Sequence, residues 1–145
     1  MKAILSTEIE LEIPFHDDDS MGITCHGNYL RYFEIARCKL LDRFDYGYSR
    51  MQESGYAWPI VDLQLKYVKP SRFEQKILVS AALVEWENRL KLNYQICDAT
   101  SGERLTKGYT IQAAVDMQTQ ELCLVTPPVF RERLAPFIAA AEAKP

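Results

Sequence analysis

The sequence is 145 residues long, 48% hydrophobic and 26% charged, with a formal net charge of −3, which fits one globular domain over residues 1–145 and excludes a disordered or fibrous chain. No basic footprint for nucleic acid appears, no apolar stretch reaches the roughly 18 residues of a membrane span, and Met1-Lys2 leads into an alternating segment rather than a signal peptide. A cytoplasmic protein is expected, with Cys25, Cys38, Cys97 and Cys123 as free thiols, because no C-x-x-C pair suggests a disulfide framework.

From residue 5 to 15 the chain alternates, with Ile9, Leu11 and Ile13 on one side and Glu8, Glu10 and Glu12 on the other, the period of a half-buried strand. Pro14 ends it. A polar loop from His16 to Gly27 follows, holding three acids and both histidines. From Asn28 to about Tyr46 the apolar residues Tyr29, Phe33, Ala36, Leu40 and Phe44 recur at spacings of three and four, joined by Leu30, Tyr32, Ile35 and Leu41. The pattern predicts a helix of about five turns, with Asn28 as N-cap and Gly47 as a left-handed C-cap. Four strands are predicted over about 58–68, 75–87, 89–99 and 103–117, the last three an antiparallel meander turning at Glu87-Asn88 and at residues 98–102. A short strand near 121–125 precedes Pro127-Pro128, and residues 129–141 form a final helix that Pro136 kinks or splits.

One strand, one long apolar helix, then strands in series leaves few architectures open. An antiparallel sheet wrapped around the helix buries its apolar face, the α+β arrangement called the hotdog fold. Such a sheet leaves an edge unpaired, so a homo-oligomer, a dimer or a tetramer, is expected.

The run Asp17-Asp18-Asp19-Ser20-Met21-Gly22 through Asn28-Tyr29 to Ala36-Arg37 resembles the signature of the 4-hydroxybenzoyl-CoA thioesterase family, in which an acid-x-acid pair and a Gly precede the helix. The resemblance implies hydrolysis of an acyl-CoA thioester without a cofactor. It implies that Asp19 is the catalytic carboxylate and Asp17 its companion acid, and that the backbone amide of His26 polarises the thioester carbonyl. Asp18 stands where relatives often have Thr or Cys, and Met21 where a small residue is usual, which bears on the acting carboxylate and on the width of the acyl pocket.

Read as chemistry, thioester hydrolysis needs a group that attacks or activates water and a donor for the developing oxyanion. A carboxylate serves as nucleophile or as general base, and the unpaired N–H groups of a helix start serve as donors. Glu34, two turns into the helix, is the alternative catalytic acid or a structural one. Gly22, Tyr29, Arg72 and Arg89 are candidate substrate-binding residues; Tyr29 also fits plain core, and Arg72, Arg89 and Lys91 fit either CoA phosphates or solvated surface. His16, Asp17, Asp19 and His26 lack the spacing of a metal-ligand motif, so no metal site is expected, and Cys25 beside His26 lacks a third orienting group for a thiol nucleophile. An acyl-carrier-protein thioesterase and a non-catalytic acyl-binding protein are the alternative readings.

Overall fold

The computed structural model describes residues 3–14, 27–72 and 74–144. The strand β1 (Leu5–Glu12) is followed by helix α1 (Gly27–Asp42), the short helix α2 (Tyr48–Glu53), β2 (Tyr56–Ala57), β3 (Ile60–Tyr67), β4 (Lys76–Glu85), β5 (Leu90–Asp98), β6 (Arg104–Gln112), β7 (Val115–Asp116) and helix α3 (Pro128–Glu142). Five strands form one sheet in the order β1-β4-β5-β6-β3, with every neighbouring pair antiparallel. The meander of β4, β5 and β6 is as expected.

Alternation decides which face of the sheet is dry. Ile77, Val79, Ala81 and Leu83 of β4 and Leu90, Leu92, Tyr94 and Ile96 of β5 are buried beneath α1, while Glu8, Glu10 and Glu12 of β1 are exposed on the opposite face. On α1 the buried stripe is Tyr29, Tyr32, Phe33, Ala36, Leu40 and Leu41. Phe33 stacks on Tyr94 with ring centroids 4.4 Å apart. Leu30 and Ile35, expected on this stripe, are 40% and 42% exposed, so the apolar face is narrower than the spacing suggested.

The end of α1 also differs from expectation. Asp45, not Gly47, takes the left-handed conformation, at φ 54°, and its carboxylate is held by Arg50 and by Arg133 of α3. Asp tolerates this region because its short polar side chain finds local partners. Gly47 is extended and precedes α2. The strand expected over 103–117 is broken into β6 and β7, and around 121–125 a single bridge, Val115 to Leu122, replaces a strand. Helix α3 runs through Pro136 unbroken; the missing N–H frees the carbonyl of Glu132, and Glu132 and Pro136 are both exposed, so water can replace the lost partner. Phe130 of α3 meets Phe44, Tyr46 and Trp58 at centroid distances of 5.0 to 5.9 Å, which pins α3 over the end of the core.

Candidate active site

The acid loop runs directly into Gly27, the first residue of α1. Asp17, Asp18, Asp19, Gly22, Cys25 and His26 lie outside the described residues. What the structure does place is the first turn of α1 and its surroundings. Tyr29, in the first turn of α1, is buried, and its hydroxyl is 2.9 Å from Ser71 Oγ and accepts the Ser71 backbone N–H at 3.2 Å. Its ring lies 5.2 Å from that of Tyr67 at the end of β3 and 6.0 Å from that of Tyr32. The phenol therefore fastens the helix start to the connection between β3 and β4. Ser71 is itself buried, so an unmade bond here would leave two polar groups dry.

Arg72 follows Ser71 and is exposed, which sets a cation beside the start of α1. Arg89 is exposed at the other end of the sheet, bound through Nε to Glu85 at 2.7 Å. Leu90 pairs with Gln112 while Ile96 pairs with Thr106, the partner of Tyr67. Six residues of strand, about 20 Å, separate those rows. One chain does not bring Arg72 and Arg89 together. Lys91 sits over the ring of Tyr109 at 4.7 Å, on the face away from α1. Glu34 is exposed, so the burial that would have demanded a structural partner for it is not found.

Sequence reasoning placed Arg37 in the signature run but gave it no role. This guanidinium is 6% exposed on the inner side of α1, its Nε donates to the Tyr48 hydroxyl at 2.9 Å, and it lies over the Tyr48 ring at 5.9 Å. Burial works against its charge, but Tyr94 and Tyr48 outweigh that and hold its pKa above the usual arginine value. Burial pushes the hydroxyls of Tyr94 and Tyr48 upward too, so both stay neutral donors or acceptors around the cation. Cys38, half-buried next to it, is raised by the same loss of solvent and is a poor thiolate. Cys38, Cys97 and Cys123 are free thiols. Among the described residues no group of three His, Cys, Asp or Glu side chains is placed to hold a metal ion, and no helix is long and apolar enough to cross a membrane.

Among the described residues, the start of α1 has beside it an aromatic wall of Tyr29, Tyr32 and Tyr67 and the exposed cation Arg72. Comparison with known proteins gives that arrangement its setting. The model of the thioesterase-like superfamily matches residues 13–138. YneP from Bacillus subtilis, named as a proposed acyl-CoA thioesterase, is 28% identical over 111 residues, 76% of this chain and 80% of that protein. The structure of a DHNA-CoA thioesterase from Staphylococcus aureus is 26% identical, with a TM-score of 0.82 over 97% of this chain and 96% of that one. A 4-hydroxybenzoyl-CoA thioesterase, 18% identical, has the same fold at a TM-score of 0.76 over 89% of this chain and 98% of its own. The sheet wrapped around α1 is the hotdog fold.

Proposed function

This chain belongs to the thioesterase-like superfamily and is a thioester hydrolase, and from that premise we propose that it splits an acyl-CoA into the free acid and CoA with Asp19 as the acting carboxylate. The observation that carries the reading is the family match over residues 13–138, which takes in the acid loop and α1 together. Two routes balance. In one, the carboxylate attacks the carbonyl carbon, the C–S bond breaks, CoA leaves as thiolate, and water then hydrolyses the mixed anhydride. In the other, the carboxylate takes a proton from water as the water oxygen attacks the carbonyl carbon, and the tetrahedral intermediate collapses with cleavage of the C–S bond, CoA leaving as thiolate and taking up a proton. In both, backbone N–H groups near the start of α1, that of His26 among them, meet the oxyanion, where one preorganised donor is worth roughly 100- to 1000-fold in rate.

The working unit is a homo-oligomer, at least a dimer. Support comes from β3, an edge strand whose Val61, Leu63 and Tyr67 are 59%, 41% and 40% exposed. An edge strand with exposed apolar side chains invites pairing with a second copy. Antiparallel pairing of β3 with its twin reverses the direction of the second sheet, so Arg89 of the partner subunit comes to the Tyr67 and Arg72 end. Two cations that one chain holds about 20 Å apart then stand at the same end of the joined sheet, Arg72 exposed and Arg89 paired with Glu85.

The test is release of free CoA thiol from aryl-, short- and long-chain acyl-CoAs, with one acyl-carrier-protein thioester alongside, with and without chelator. Turnover of at least one CoA thioester, unchanged by chelator, is expected. Activity lost on chelation and restored by a divalent metal ion overturns this mechanism, and cleavage of the carrier-protein thioester alone overturns the substrate.

A further inference from the structure

On the face of the sheet opposite α1, a cleft of about 500 Å³ opens over β3, β5 and β6. Register builds it. Lys66 of β3, Lys107 of β6 and Gln95 of β5 lie directly opposite one another in one row, and Gln64, Tyr109 and Asn93 form the next row. Arg104 closes the end. Directly opposed like charges on a sheet repel, yet among the described residues none of these three cations pairs with a carboxylate, and no acid lines the cleft. Neighbouring cations are neutralised: Lys69 pairs with Glu103 and Arg89 with Glu85. Of the acids on this face, Asp62 of β3 accepts the Tyr109 hydroxyl at 3.1 Å beside the cleft, and Glu8, Glu10 and Glu12 stand on β1 at the far edge.

We propose that this cleft binds a chain of phosphates, with Lys66, Lys107 and Arg104 supplying charge and Gln64, Asn93 and Gln95 supplying amide donors. Two or more linked phosphates fit better than one, because the cations are spread along two strands and a single anion reaches only part of them. The ligand has two sources. It is either the nucleotide end of the substrate, which rests on the acyl-CoA reading, or a free nucleoside polyphosphate, which does not.

Calorimetric titration of the intact protein with sodium tripolyphosphate at low salt tests the site without any turnover, so its failure is separate from failure of the thioesterase reading. The variant Lys66→Gln/Lys107→Gln is expected to bind at least about tenfold more weakly, from the loss of two charge-assisted contacts, while Lys69→Gln binds as the wild type does. Arg104→Gln is the second variant should the double one fold poorly, with the same direction expected. If the lysines only guard the sheet edge, the wild type does not bind tripolyphosphate, or all variants bind alike, and the proposal fails. To separate the sources, KM is compared for one acyl group carried on CoA and on pantetheine. A rise of about tenfold in the double variant for the CoA thioester alone assigns the substrate's own phosphates; unchanged KM values with ATP displacing tripolyphosphate assign a free nucleotide.

Discussion

Tyr29 shows how one hydroxyl ties the start of α1 to the rest of the fold. Tyr29→Phe leaves the buried Ser71 N–H and Oγ without that partner, and urea unfolding is expected to show a loss of about 1–3 kcal/mol. A second residue sets acid behaviour. The Gln75 amide, with the N–H groups of Ser101 and Thr100, holds the Asp98 carboxyl down to about 2. Because the folded value lies below the unfolded one, near 3.9, the stabilisation is complete above about pH 4 and is lost as pH falls through 2. A thermal midpoint followed from pH 5 to pH 2 should fall less steeply in Asp98→Asn than in wild type. The turn at Asp98 was legible because Asp, Thr, Ser and Gly in series name a turn. Arg37 was not, since its partners Tyr48 and Tyr94 come from α2 and β5, and a lone Arg on a helical stripe reads as solvent-facing.

At the scale of elements, close approach matters most at Gly108. A Cβ there would lie 2.2 Å from the Gln64 carbonyl oxygen and 3.1 Å from the Phe33 ring, so the residue lets α1 press onto β6 while β3 stays paired. Gly108→Ala is expected to cost about 1–3 kcal/mol and to strip hydrogen-exchange protection from residues 60–67 first; uniform loss across the sheet would refute the local account. The long elements were legible because each keeps one period over eight residues or more. The six-residue α2, which buries only Met51, and the two-residue strands β2 and β7 carry too few positions to show one. The α1 terminus was misplaced because glycine is the commonest left-handed residue, yet at Asp45 the pairing with Arg50 and Arg133 supplies what glycine's missing side chain would have saved.

For the whole molecule, the sheet edge and the site are one question. If β3 pairs with its twin, Leu63→Lys places a charge on the joining edge, and sedimentation at micromolar concentration should show a monomer with little activity, where wild type shows a dimer or larger. A wild-type monomer with full turnover removes the shared site. The order of strand, helix and strands carried the hotdog arrangement before any coordinates, since only a wrapped sheet buries so apolar a helix. The acid loop stands out in the sequence as a run of reactive side chains and lies outside the described residues, whereas the opposed lysines of the outer face were not legible, because their meeting depends on register between β3 and β6. The central claim is that the loop carboxylate, not the helix acid, does the chemistry. Its most direct measurement is kcat for CoA release by Asp19→Asn beside Glu34→Gln, each checked for fold and oligomer. Asp19→Asn is expected to fall at least about 100-fold with Glu34→Gln near wild type; near-normal turnover in Asp19→Asn with none in a folded Glu34→Gln would place the chemistry on the helix instead.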